Sequence, residues 1–127
     1  MSHGRFVTAI NCMDGRTQLP VNEWLRKTFR ADFVDTITEP GPARILAQGD
    51  DPAAVESIRR RVQVSVYKHG SLHIAIVAHH DCAGNPVDKE TQLQQLARAG
   101  ATVGEWGLNV SVELLWVGQD WQVLRVG

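Results

Sequence analysis

Cysteine is scarce in this chain: Cys12 and Cys82 are the only two among 127 residues. No Cys-x-x-Cys occurs, which removes the usual dithiol signature of a redox protein. A thiol-phosphatase loop needs an arginine six residues after its cysteine, and Gln18 and Asp88 stand at those places. Long apolar runs are lacking as well. None approaches the roughly 18 residues a membrane span requires, and the N-terminus has no extended apolar core of a signal peptide. Charge of one sign is also missing: 13 Lys and Arg face 14 Asp and Glu, a formal net charge of −1. That balance excludes the broad basic footprint of a nucleic-acid or anionic-membrane binder. The one basic cluster, Arg59–Arg60–Arg61 after Glu56, reads as a solvated helix face. The expected compartment is the cytoplasm, where two cysteines more often serve a metal or catalysis than a structural disulfide.

What is present is an ordinary globular composition, 43% hydrophobic and 21% charged. The length suits a single α/β domain covering residues 1–127. Apolar, β-branched runs at 5–11, 32–38 and 72–78 read as strands, the last nearly continuous, as in a strand covered on both faces. Helical spacing appears at 19–29, behind Pro20, and at 51–70, from Asp51-Pro52 to Gly70. A third helix is expected over 87–107. The stretch 39–52, "EPGPARILAQGDDP", is punctuated by Pro and Gly and reads as a long loop with one helical turn at 43–48. Residues 109–126 give two strands around "GQD", a hairpin. The tryptophans of this end, Trp106, Trp116 and Trp121, suit a core or a subunit interface.

The alternation of strands and helices predicts a three-layer α/β sandwich with a mostly parallel sheet. With the first strand central, the strand order runs 2-1-3-4, and the last strand lies antiparallel at an edge. Ligands in such sheets bind beyond the carboxyl ends of the strands, where the order reverses. Here that point lies between the first and third strands. "CMDGR" (12–16) follows one and "AHHDC" (78–82) follows the other.

Cys12, His79 and Cys82 together offer two thiolates and an imidazole, a three-ligand set for zinc with a fourth position for water or substrate. Thiolates favour zinc over magnesium or calcium. Asp14, two residues beyond a ligand, can accept a hydrogen bond from zinc-bound water or enter the fourth position itself. Arg16 can hold that carboxylate by a bidentate pair. His80 is placed to relay protons, and Asp81 to orient Arg16 or His79. Competing readings are two buried structural cysteines, a Cys12–Cys82 disulfide and a simple surface Asp-x-Arg pair. His3, His69 and His73 lie outside the pattern.

Cys-x-Asp-x-Arg followed by His-x-x-Cys resembles the paired zinc motifs of the β-class carbonic anhydrase family, and the likeness spans roughly residues 5–105. The resemblance implies zinc on Cys12, His79 and Cys82, and Asp14 with Arg16 as the catalytic dyad. It also implies reversible hydration of carbon dioxide to bicarbonate by zinc-bound hydroxide, in a homodimer or larger homo-oligomer with active sites near the subunit interface. Several features depart from the family pattern. No N-terminal helical arm or pocket glutamine is expected ahead of "CMDGR", and Gly15 stands where Ser or Ala is usual. "TEPGPAR" replaces an Arg-Asn-Ala-Gly type turn, keeping Gly41. Gly15, Gly41 and Ala83 are the expected substrate-pocket positions. The expected function is a zinc-dependent, carbonic-anhydrase-like lyase. The alternatives are a non-catalytic zinc-binding module on the same fold, or a hydrolase of another heterocumulene such as carbonyl sulfide or carbon disulfide.

Overall fold

A computed structural model describes residues 4–127, so His3 lies outside the described residues. The elements run β1 (Phe6–Cys12), α1 (Gly15–Phe29), β2 (Phe33–Glu39), α2 (Pro42–Gln48) and α3 (Pro52–Gln63). A π-helical segment (Val64–Lys68) follows, then β3 (His73–His79), α4 (Lys89–Gly104), β4 (Ser111–Val117) and β5 (Val123–Arg125). The sheet order is β2-β1-β3-β4-β5. It is parallel from β2 to β4, and β5 pairs antiparallel to β4. This is the order read from the sequence.

Period-two alternation along the central strands builds two cores. Ile10, Ile74, Ile76 and Ala78 face α2, α3 and α4, together with Leu46, Ile58, Val62 and Leu96. Val7, Ala9, Ala75 and Val77 face α1, which lays Val21 and Leu25 against them. Ile10, Ile74 and Ile76 are fully buried, each contributing about 1.5–3 kcal/mol relative to an exposed side chain. Trp116 belongs to the first core and Trp106 packs on it, whereas Trp121 packs on the second. Among the described residues no helix is long and apolar enough to cross a membrane.

Helix α1 begins at Gly15, earlier than the expected 19, because Asp14 caps it: the Asp14 side chain accepts from Arg16 N. Pro20 therefore sits inside the helix, where it forfeits a backbone hydrogen bond, and does not start it. The helical turn expected at 43–48 is present and longer, a seven-residue helix, α2, with Pro42 at its start and Gly41 and Gly49 in left-handed conformations at its ends. The same glycines and prolines that suggested a loop are its caps. The expected 51–70 helix is α3 followed by the π-helical segment. That segment is tied to the sheet by a buried polar chain: Ser65 Oγ lies 2.6 Å from Thr8 Oγ1 and donates to Asp35 Oδ2 at 2.6 Å. His69 Nδ1 meets the same carboxylate at 2.7 Å. His73 Nδ1 pairs with Ser111 Oγ at 2.6 Å and its ring stacks on Phe29.

Beyond the sheet's carboxyl edge, the loop after β2 packs directly on the loop after β3. A Cβ placed on Gly84 would lie 2.7 Å from the backbone carbonyl carbon of Pro40, and one on Gly41 would lie 2.8 Å from Asn85 Cβ. Only glycines permit this approach. Gly84→Ala is expected to cost about 1–3 kcal/mol by overpacking, read as a lower midpoint in urea unfolding with an unchanged m-value.

Candidate metal centre

β1 pairs with β3 only from Thr8↔Ile74 to Ile10↔Ile76. Yet β1 stays with β2 to Cys12↔Glu39, and β3 stays with β4 to His79↔Val117. The two central strands thus part before they end, and the gap receives Cys12 from the last position of β1 and His79 from the last position of β3. Asp81, with φ of +58°, turns the chain after His79 so that Cys82 comes back into the same gap. A left-handed backbone is one that Asp tolerates better than most residues.

All three side chains are buried, at 3%, 0% and 5% exposure for Cys12, His79 and Cys82. Their ligand atoms lie within 4.8 Å of one another. Both cysteines are free thiols, so the disulfide reading does not describe this structure. Cys12 Sγ and Cys82 Sγ are 3.8 Å apart, which is about the edge of a tetrahedron built on zinc–sulfur bonds of roughly 2.3 Å. His79 Nδ1 donates to the carbonyl of His80 at 2.7 Å. Since a carbonyl can only accept, the proton is on Nδ1, and in the neutral ring Nε2 carries the lone pair. That Nε2 is buried without a hydrogen-bond partner. An unsatisfied buried ring nitrogen beside two thiols is a donor set that could hold a metal ion, and the residues fit zinc.

The sulfurs are also held by the backbone. N–H groups of Gly41 and Asp14 are directed at Cys12, and those of Gly84 and Asn85 at Cys82. The Cys12 thiol is held well below its ordinary range, chiefly by its hydrogen bond with Cys82 and against the cost of burial. Cys82 is pushed up by that same contact and by burial. The first proton leaves this pair readily and the second is retained. At His79 burial opposes protonation, but the Cys12 thiolate and the His80 carbonyl outweigh it and raise its pKa.

Arg16 grips Asp14 with two parallel bonds, Nε to Oδ1 at 3.0 Å and Nη2 to Oδ2 at 2.7 Å. Asp14 Oδ2 lies 4.0 Å from His79 Nε2, so the carboxylate stands at the rim of the ligand cluster. On its other side Arg16 reaches Asp81, with Nη2 3.1 Å from the carbonyl and Nη1 3.3 Å from Oδ2. Asp81 therefore contacts Arg16. The positions expected to line a substrate pocket are divided: Gly15 and Ala83 are exposed, whereas Gly41 is buried against Gly84. The His80 ring lines a cavity of about 530 Å³ with Lys89, Trp116 and Gln122. Sequence reasoning missed the N–H donors at Gly84 and Asn85 and the indole of Trp121, whose ring centroid is 4.4 Å from Arg16 Cζ. The first depends on how the loop after Cys82 folds back on itself, and the second joins segments far apart in sequence.

The fold is that of β-carbonic anhydrases. A carbonic anhydrase from Glaciozyma antarctica superposes with a TM-score of 0.63 at 11% identity, over 95% of this chain and 81% of that one. The β-carbonic anhydrase CafA of Aspergillus fumigatus gives 0.56 at 14% identity, over 98% and 76%. One of two tetrameric β-carbonic anhydrases from Sordaria macrospora gives 0.57 at 11%, over 100% and 82%. At these identities the likeness is one of fold. Compared with curated protein sequences, the chain finds no match. The sequence of residues 2–127 does match the family described as "Putative carbonic anhydrase", and the chain belongs to that family.

The Arg16 grip lowers the Asp14 pKa to about 2. A depressed carboxylate contributes stability that is complete above its unfolded value, about 4, and is lost as pH falls through its folded value. Asp14→Asn keeps an N-cap acceptor but removes the charge. Its unfolding free energy is expected to fall less steeply than that of the wild type between about pH 4 and about pH 2, measured by urea titration at each pH.

Proposed function

We propose that this protein is a zinc-dependent, carbonic-anhydrase-like lyase that interconverts carbon dioxide and bicarbonate. The observation that carries the reading is the buried, unpartnered Nε2 of His79 facing two free thiols. Cys12, His79 and Cys82 would hold the metal. Zinc, when bound, acidifies water and so supplies a nucleophile at neutral pH.

The chain's own residues do the rest. Asp14, ionised by its pair with Arg16, accepts a hydrogen bond at the rim of the cluster and orients what arrives there. Arg16 keeps both carboxylate oxygens engaged, which turns Asp14 towards the guanidinium. His80 passes the released proton from the buried ligands towards the cavity its ring lines. Gly15 and Ala83, small and exposed beside the ligands, leave room for a small linear substrate, and the N–H of Gly41 steadies Cys12. Met13, directly after Cys12, and Leu19 on α1 are 64% and 66% exposed and suit burial against a second copy in a homodimer or larger assembly. The proposal places the protein in the cytoplasm, where free thiols stay reduced.

The test is stopped-flow carbon dioxide hydration on protein of measured zinc content. One zinc per chain and hydration well above the buffer rate are expected. Zinc-loaded protein no faster than buffer would sink the lyase reading. Cys82→Ala is expected to abolish both metal and turnover. Asp14→Asn should retain zinc while losing about 10²-fold in kcat, the scale of a displaced proton-handling group.

A further inference from the structure

The turn joining β4 to β5 contains an unusual residue. Trp121 has φ of +60°, a left-handed backbone conformation that bulky side chains adopt only when their surroundings hold them there. The turn around it is closely bonded. Trp121 N donates to the Gly118 carbonyl at 2.9 Å and Gly118 N to that of Gln122 at 3.2 Å, while Asp120 Oδ1 accepts from Gln122 N at 3.0 Å. The result is an indole laid across the outer face of the Arg16 guanidinium, with Cζ 4.4 Å from the ring centroid. The same indole lies 6.2 Å from the ring of His79 and 6.4 Å from that of His80. Its other contacts are with the core formed by α1 and the sheet.

The Arg16 side chain is 47% exposed, while the Asp14 carboxylate it holds is only 18% exposed. A guanidinium so open to water loses much of the strength of its ion pair to solvent competition. Here its edges are taken by Asp14 and Asp81, and one face is taken by the indole. Arginine presents a planar cation that both pairs at its edge and stacks on its face, so the two contacts are compatible and reinforce one orientation. A bulky residue in a strained backbone, placed on the one cation that organises the dyad, points to a constraint from the site and not from the hairpin alone.

We propose that Trp121 is a positioning residue that stacks on Arg16, shields one face from water and so fixes the guanidinium on Asp14. Its consequence for turnover rests on the carbonic-anhydrase-like reading of the site, but its effect on Arg16 does not. The C-terminal hairpin thereby becomes part of the site's support, although none of its residues is a metal ligand.

Trp121→Gly and Trp121→Phe separate the ring from the backbone. Glycine suits φ of +60° better than tryptophan does and so preserves the turn while removing the ring. Phenylalanine keeps an aromatic face. The readout is hydrogen exchange of the Arg16 Nε–H in ¹⁵N-labelled protein, its signal identified by its loss in Arg16→Lys. Exchange is expected to be slow in the wild type and Trp121→Phe and about tenfold faster in Trp121→Gly, the scale of a partly desolvated cation–π contact. In zinc-loaded protein, kcat of Trp121→Gly is expected to fall about tenfold with zinc content and KM held. Exchange in Trp121→Gly equal to the wild type, or equal acceleration in both variants, overturns the proposal, as does an unchanged kcat where the wild type turns over. Protein that shows the exchange pattern but hydrates no carbon dioxide leaves Arg16 positioned by Trp121 and removes the lyase reading instead.

Discussion

The early parting of β1 and β3 is the constraint on which the centre depends. Parallel strands at the middle of a sheet normally keep their hydrogen bonds to the end, because a buried N–H or carbonyl without a partner is costly. Here each strand keeps its outer neighbour and releases its inner one, so the backbone bonds are retained on one side while a gap opens on the other. The gap lies where the chain's crossovers diverge to opposite faces. Side chains at the last position of each strand fall into it without any loop having to reach inward.

Each successive layer of the site then stabilises the one inside it. The His80 carbonyl fixes the His79 tautomer, and Gln92 Nε2 donates to the His79 carbonyl at 3.0 Å, so the strand end is held from both sides. Arg16 is at once the partner of Asp14, a donor to the Asp81 carbonyl and the floor beneath Trp121. The helix cap and the dyad share atoms: Asp14 Oδ1 accepts both the first-turn N–H of Arg16 and its Nε. Forming α1 and aligning the dyad are therefore one event.

Much of this was legible in the sequence because it follows from local pattern. Continuous apolar runs marked the central strands, taking the first strand as central gave their order, and the switch point brought Cys12 to His79 and Cys82 before their chemistry was considered. What escaped depended on contacts that local pattern does not encode. Pro20 resembled a helix start because the Asp14 cap uses a side chain already assigned to the metal site. The Gly and Pro residues of 40–52 suggested a loop holding a single helical turn, although a seven-residue helix with left-handed glycines at both ends uses the same residues. The π-helical turn at 64–68 is selected by the buried chain from Thr8 through Ser65 to Asp35, which links three elements far apart in sequence. Trp121 could be assigned to a core or interface but not to Arg16, since a turn residue's direction is set by the sheet edge it crosses.

The four N–H groups aimed at Cys12 and Cys82 belong to the peptide backbone: Asp14 caps α1, and Gly41, Gly84 and Asn85 stand in two loops that touch each other. A side-chain donor can be deleted by one base change, whereas a peptide N–H survives every substitution except proline. Electrostatic support for the sulfurs is thus insulated from mutation of neighbours such as Ala83. Side chains at the wall of the site can change while the backbone environment of its sulfurs stays as it is.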